Sequence, residues 1–157
     1  MRTRVQRFWW FGLALGLLVG CGHSQSAQGP TPVRLQIQPT EETNRNAPVR
    51  VELLWVYNKD TAEVLAGLSA REWFAQKGTI QAFYGDAAFE SYYWEPVPGQ
   101  DYIFTDLTYP GNAEASFVFV SYYTPGAHRL EVNPACHMTL RLKRDDFSVS
   151  YQNNCSP

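Results

Sequence analysis

The sequence predicts an all-β domain, a β-sandwich of about eight strands with one short helix. Short apolar or alternating segments recur along the chain, separated by turn signals such as Pro-Gly and Gly-Asp, a spacing typical of sandwiches. Aromatic residues make up 15% of the chain, a content that favours strands over helices. We assign this domain to residues 33–157, which suffice for one core but not for two domains.

The first 20 residues predict a signal peptide. Arg2, Arg4 and Arg7 precede an uncharged apolar run at residues 8–19, the order found in secretory leaders. That run is well short of the ~20 apolar residues that a transmembrane helix needs. It ends in Leu18-Val19-Gly20-Cys21, which resembles the lipobox of bacterial lipoproteins. We therefore expect cleavage before Cys21 and acyl chains, palmitate among them, on this cysteine.

Residues 21–32 predict a flexible tether between the lipid and the domain, because they are small and polar.

Two or three acyl chains hold a protein on a membrane almost permanently. Residue 22 is Gly rather than Asp, which under the sorting rule of enteric bacteria directs a lipoprotein to the outer membrane, facing the periplasm. The alternative to a lipoprotein signal is an ordinary secretory signal that ends by chance at a cysteine.

The mature chain is mildly acidic. Removing the three arginines of the leader from the 13 basic residues leaves ten against 15 acidic residues, a formal charge of about −5. Binding to phosphate backbones needs a concentrated positive patch, and the sequence shows none. We therefore expect no nucleic-acid partner.

Two strands flank a polar loop at the start of the domain. Residues 33–38 alternate between apolar and polar, the period of a half-buried strand. Residues 39–48 are polar and bounded by prolines, which indicates a loop. Residues 49–57 alternate at first and become apolar on both faces by Leu54, so we expect a second strand whose far half is buried on both sides.

A single short helix is predicted after the second strand. Ser69 and Glu72 have the spacing of a capping box, in which the serine hydroxyl accepts from the backbone of the glutamate and the glutamate reaches back. The helix should span residues 70–77 and end at Gly78. Residues 61–68 fit either a loop or a helical turn.

The remainder predicts seven strands separated by turns, at 79–84, 89–95, 102–107, 115–123, 129–132, 138–143 and 147–151. Two aromatic clusters, Tyr92-Tyr93-Trp94 and Tyr122-Tyr123, lie in these strands. One interpretation is that alternate members fill the core and the others lie on the sheet surface without a further role. The other is that the outward tyrosines form a face that stacks on sugars or docks a protein.

No catalytic or metal-binding constellation is evident in the sequence. His23, His128 and His137 have no obvious partner, and the adjacent pairs Glu41-Glu42 and Asp145-Asp146 would point to opposite faces of a strand rather than face each other. The chain has no phosphate-binding loop, nucleophile elbow or paired metal-ligand motif. We therefore expect no enzyme activity, no catalytic residues, no metal site and no cofactor.

Cys136 and Cys155 are the two cysteines of the domain, and in an exported protein such a pair predicts a disulfide. The bond would close a loop of about 19 residues and contribute on the order of 3 kcal/mol. A metal site that also uses His137 is the alternative, but it lacks a fourth ligand at a usable spacing.

The order of these features resembles the TssJ family, the outer-membrane lipoproteins of type VI secretion systems. In that family a lipidated cysteine is followed by a first strand, a polar loop, a Pro-Val strand, a short helix with aromatic residues and a later Pro-Gly turn. The counterparts here are Cys21, residues 33–38, residues 39–47, the strand that begins with Pro48-Val49, Trp73-Phe74 and Pro98-Gly99-Gln100.

The resemblance implies a transthyretin-like β-sandwich whose loop after the first strand binds the periplasmic domain of the inner-membrane component TssM. On this chain the partner-binding residues would be Glu41, Glu42, Thr43, Asn44, Arg45, Asn46 and Ala47. For the loop, the alternative is a solvated connector. For the whole chain, the alternative is a lipoprotein binding module that holds a glycan or a peptide on its surface tyrosines.

Overall fold

The computed structural model describes residues 29–133 and 135–152. The predicted signal peptide at 1–20, the lipid-attachment residue Cys21 and most of the tether lie outside the described residues. The described residues form eight strands in two four-stranded sheets, with two α-helices, so the predicted β-sandwich is confirmed. The strands are β1 Thr31–Pro39, β2 Val51–Val56, β3 Phe89–Trp94, β4 Tyr102–Tyr109, β5 Ala115–Val120, β6 Arg129–Glu131, β7 Met138–Leu142 and β8 Phe147–Tyr151, and the helices are α1 Lys59–Gly67 and α2 Ala70–Tyr84.

The two sheets differ in the direction of their strands. In the first sheet, ordered β4-β1-β7-β8, β1 runs antiparallel to β4 and parallel to β7. In the second sheet, ordered β3-β2-β5-β6, every pair is antiparallel. Because β1 and β2 belong to different sheets, the loop between them crosses from one layer of the sandwich to the other.

The main core lies between the two sheets. On β1, Val33, Leu35 and Ile37 are at most 2% exposed and pack in the cluster that includes the inner side chains of β2. A second cluster lies on the outer face of β2 and β5, where Leu65 of α1 and Trp73 of α2 cover the sheet. All six residues of β2 are therefore buried, not only its far half as the sequence predicted.

Helix α2 is 15 residues long rather than the eight predicted. It begins with the predicted capping box, in which the Glu72 N–H donates to Ser69 Oγ (3.3 Å) and the Ser69 N–H donates to Glu72 Oε2 (2.8 Å). The prediction that it ends at Gly78, with a strand at 79–84, was wrong. Trp73 and Ile80, two helical turns apart, are both buried in the outer cluster, and this burial outweighs the cost of about 1 kcal/mol for a glycine inside a helix.

Residues 59–67 form a second helix, α1, where the sequence left a loop or a helical turn open. The Asn58 side chain accepts from the Thr61 N–H (2.9 Å) and caps its first turn, and Leu65 is fully buried. The described residues therefore contain two α-helices, rather than the one helix predicted, together with a 3-10 helix at Thr43–Arg45. Neither these nor any other helix among the described residues is long and apolar enough to cross a membrane.

Candidate functional site

The loop between β1 and β2 is anchored by two buried polar side chains, Thr43 and Asn44, which are 0% and 2% exposed. The Thr43 hydroxyl donates to the carbonyl of Leu142 (2.9 Å). The Asn44 carboxamide donates to Pro48 O (3.1 Å) and accepts from the Tyr123 N–H (2.8 Å). These bonds hold the loop against the end of β7 and the segment that follows β5.

Three consecutive residues of this loop have a left-handed backbone. The φ angle is 46° at Asn44, 60° at Arg45 and 64° at Asn46. Asparagine adopts this conformation more readily than other residues with a Cβ, but for a residue such as arginine it costs about 1–2 kcal/mol. The Asn46 side chain stabilises the turn by donating to Glu41 O (2.9 Å). Strained backbone persists only where its surroundings hold it, and it is concentrated at functional sites.

The side chains that the loop presents to solvent are charged or polar. Of the predicted partner-binding residues, the exposed ones are Glu41, Glu42, Arg45 and Asn46, while Ala47 is half-buried. Glu42 lies 3.7 Å from Arg144, and Arg45 lies 3.8 Å from Asp145, both on the turn between β7 and β8. Exposed pairs of this kind contribute little to stability, so these charges can be engaged by a partner at low energetic cost.

The loop lies at the far end of β1 from Thr31, where this strand begins. The chain enters the sandwich at Thr31, β1 runs to Pro39, and the loop follows almost directly. Nine residues of extended strand span roughly 30 Å. The connection between β3 and β4 meets β1 at this same end, where the Gly99 N–H donates to Pro39 O (3.2 Å). The attachment of the tether and the loop are thus separated by about the length of the sandwich.

A groove adjoins the loop and runs toward α2. It consists of two neighbouring cavities of about 400 and 300 Å³, which share Arg50, Ser121 and Tyr123. The larger cavity is bounded by Arg71 and Phe74 of α2, and the smaller one reaches Asn44 of the loop. We call this feature the arginine groove, defined by Asn44, Arg50, Arg71, Phe74, Ser121 and Tyr123.

The two aromatic clusters divide between core and surface. Tyr92 and Trp94 pack against the core between the sheets, whereas Tyr93 is 50% exposed. Likewise Tyr122 is buried and Tyr123 is 67% exposed. Burial raises the pKa of the Tyr122 hydroxyl well above its ordinary value. The outward tyrosines that the sequence left unassigned are therefore Tyr93 and Tyr123, and Tyr123 lies in the arginine groove.

Both histidines among the described residues have partners that the sequence did not reveal. The His128 side chain is 8% exposed, with Nδ1 3.3 Å from Asp146 Oδ1 and Nε2 2.9 Å from a backbone carbonyl. His137 Nδ1 accepts from the Arg34 N–H (3.0 Å). The third histidine, His23, lies outside the described residues. Within the described ranges, no group of three or more His, Cys, Asp or Glu side chains could hold a metal ion.

The predicted covalent features depend on cysteines, of which the structure describes one. Cys136 is 2% exposed and lies two residues before β7. Cys155 and Cys21 lie outside the described residues. The disulfide and the lipid attachment therefore stay predictions.

Sequence reasoning missed the residues that flank the loop. Arg50 precedes β2 and Arg144 lies on the β7–β8 turn, and no sequence pattern places either of them beside residues 41–47. Nor does one place Phe74 of α2 beside Arg50. A signal for Arg50 existed, because it alternates with two valines at 49 and 51 and so points away from the core.

Comparison with solved structures shows that this fold is similar to that of type VI secretion lipoproteins. The type VI secretion lipoprotein TssJ1 from Pseudomonas aeruginosa matches with a TM-score of 0.57 and 18% identity, over 82% of this chain and 99% of that chain. A chain of a type VI membrane complex matches with a TM-score of 0.54 and 13% identity, over 76% of this chain and 98% of that chain. Lip from Serratia marcescens, a membrane-bound component of the type VI secretion system, matches with a TM-score of 0.54 and 12% identity, over 76% of this chain and 97% of that chain.

No protein-family model matches the chain, and no curated protein matches it. At these identities the three structures show a shared fold. The resemblance to the TssJ family that the sequence predicts is therefore confirmed at the level of the fold.

Proposed function

We propose that this chain is a lipid-anchored component of the membrane complex of a type VI secretion system. Acyl chains on Cys21 hold it in the outer membrane, facing the periplasm. The loop at residues 41–47 docks the periplasmic domain of an inner-membrane component similar to TssM. The role is to connect two membranes and involves no catalysis by this chain.

The observation that carries this proposal is the separation of the tether from the loop along β1. The tether joins the sandwich at Thr31, and the loop begins beyond Pro39, roughly 30 Å away. A lipid attached before Thr31 leaves the opposite end of the sandwich free to meet a partner that approaches from the periplasm. The anchored Thr43 and Asn44 hold the loop in one shape for that encounter.

The similar structures support the same role. They are a type VI secretion lipoprotein, a chain of a type VI membrane complex and a membrane-bound component of that secretion system. The exposed charges of the loop, Glu42 and Arg45, fit a polar docking surface of the kind that gives specificity more than affinity.

Docking is tested with the full chain, expressed with its leader and purified in detergent, and the periplasmic domain of a TssM-like protein from the same organism. The double variant Glu42→Lys/Arg45→Glu reverses two exposed charges but keeps the anchors Thr43 and Asn44. We expect it to weaken binding by about tenfold or more. The control variant Glu63→Lys reverses an exposed charge on α1 and should bind like the wild type. Absence of binding by the wild-type chain contradicts the proposal.

The anchor is tested by mass spectrometry and cell fractionation. The wild-type chain should begin at Cys21, carry the mass of its acyl chains and fractionate with the outer membrane. The variant Cys21→Ser should lose that mass and leave the membrane-anchored pool. A mature chain that begins at another residue, with an unmodified sulfur, refutes lipid anchoring.

A further inference from the structure

We propose that the arginine groove binds an extended, acidic peptide segment of the docking partner. The inference rests on the proposed function for the identity of the partner and adds the chemistry of the segment that the partner presents. It extends the contact surface beyond residues 41–47, onto α2 and the segment that follows β5.

The charge of the groove sets the chemistry of its ligand. Arg50 and Arg71 both line the larger cavity, and neither is among the five ion pairs found within the described part of the chain. Glu95 lines the smaller cavity, where its carboxylate accepts from the Tyr93 hydroxyl. A guanidinium binds a carboxylate through two parallel hydrogen bonds, so an acidic side chain fits beside Arg50 and Arg71.

Phe74 and Ser121 hold the side chain of Arg50 in place. The guanidinium of Arg50 lies over the ring of Phe74, with Cζ 4.6 Å from the ring centroid. Its Nη2 also lies 3.4 Å from Ser121 Oγ. Because the guanidinium is already oriented, less conformational entropy is lost when it binds a carboxylate. Tyr123, which is 67% exposed, adds an aromatic wall that suits an apolar or aromatic residue next to the acidic one.

The shape of the groove favours an extended chain over a compact ligand. Its two cavities, of about 400 and 300 Å³, meet at Arg50, Ser121 and Tyr123, which line both. A single small molecule would occupy one of them, whereas a chain that advances about 3.3 Å per residue can lie along both.

The groove is continuous with the proposed docking loop. Asn44 lines the smaller cavity, and its side chain accepts from the Tyr123 N–H (2.8 Å). The residue that anchors the loop is therefore also part of the wall of the groove. This continuity assigns the groove to the same partner as the loop rather than to a separate ligand.

The first experiment measures binding of the full chain to the partner's periplasmic domain. Arg50→Gln removes the guanidinium from the centre of the groove and should weaken binding by about tenfold, with Arg71→Gln as a second, independent variant. Arg141→Gln is the matched control, because Arg141 is exposed on β7 of the first sheet and likewise belongs to none of the five ion pairs of the described residues. Thermal unfolding of each variant confirms that it is folded.

The second experiment uses a fluorescent poly(Glu,Tyr) copolymer as the probe and poly(Lys,Tyr) as its control, so that the groove is tested without the partner. The wild-type chain and Arg141→Gln should bind poly(Glu,Tyr), Arg50→Gln should bind it several-fold more weakly, and none should bind poly(Lys,Tyr). Absence of poly(Glu,Tyr) binding by the wild type, or equal binding by Arg50→Gln, overturns the inference. Failure of the wild type to bind the partner, with copolymer binding intact, overturns the proposed function and leaves the acidic-peptide groove standing.

Discussion

Helix α2 and the β1–β2 loop are both fixed on the sandwich, but by different forces. The helix buries apolar area, with Trp73 at 0% and Ile80 at 7% exposure. The loop buries two polar side chains, Thr43 and Asn44, which bond to backbone groups of β7 and of the segment after β5. Burial of apolar area is non-directional, whereas hydrogen bonds of 2.8 to 3.1 Å hold their partners in one geometry.

The difference shows how one small domain combines stability with a defined contact surface. Apolar burial under α2 supplies free energy of folding but is itself non-directional. The bonds of the loop supply less net free energy, since each replaces a bond to water, yet they determine where Glu42 and Arg45 stand. A docking loop benefits more from hydrogen bonds that fix its geometry than from apolar burial. Four variants test this contrast, from the largest expected effect to the smallest.

Trp73→Ala should have the largest effect on stability. The indole stacks on Phe119, with ring centroids 5.4 Å apart, and its Nε1 donates to Glu52 Oε2 (2.9 Å). Removing it should lower the free energy of unfolding by about 3–5 kcal/mol, measured by urea denaturation. Phe83→Ala, at a position on α2 that is 79% exposed, should stay within about 0.5 kcal/mol of the wild type. A small effect of Trp73→Ala would mean that apolar burial does not hold α2.

Lys77→Met tests the polar contact under the same helix. Lys77 Nζ donates to the carboxylate of Glu52, which is 1% exposed, and to Ser91 Oγ (2.9 Å). Because the variant leaves a buried carboxylate without its cation, it should lower the free energy of unfolding by about 2 kcal/mol. This is less than the loss expected for a fully buried pair, since the lysine side chain is 32% exposed. The double variant Glu52→Gln/Lys77→Met buries no charge and should recover part of this loss. Equal losses in both variants would contradict this explanation.

Asn44→Ala tests the anchoring of the loop. It removes the bonds to Pro48 O and from the Tyr123 N–H, and it places alanine at a φ of 46°, so it should lower the free energy of unfolding by about 2 kcal/mol. It should also weaken partner binding, because the loop loses its geometry. Asn46→Gly is the matched control for stability alone, since it keeps the left-handed backbone and loses only an exposed bond. Unchanged stability and binding in Asn44→Ala would remove the contrast between loop and helix.

Ser69→Ala should have the smallest effect, about 1 kcal/mol for the loss of the α2 N-cap. Hydrogen bonds from Ser69 lower the pKa of Glu72 below its ordinary value. A carboxyl whose pKa is lower in the folded state stabilises the fold above its ordinary pKa, and this contribution is lost as the pH falls through the lowered value. The difference in melting temperature between wild type and variant should therefore shrink from pH 7 to pH 3. A difference that is constant with pH would exclude the carboxylate from the cap.

Much of the fold could be predicted because its signals are local. Each of the eight strands overlaps a predicted one, since alternation and turn residues act within a few positions of the chain. The capping box at Ser69 and the polar loop at 41–47 were readable for the same reason. The strand predicted at 79–84 failed because residues 70–84 contact the second sheet, and this burial overrides a glycine at position 78.

The amino-acid sequence by itself thus determined the class of the fold, the positions of its strands, the capped start of α2 and the expectation of a lipid anchor at Cys21. Only the tertiary structure decided that β1 pairs in parallel with β7, that Asn44 anchors the loop, and that Arg50 lies against Phe74. The physical reason is separation along the chain. Asn44 and Tyr123 are 79 positions apart, and such a contact exists only after packing brings the two segments together, whereas a strand's periodicity is present in every short window of the sequence.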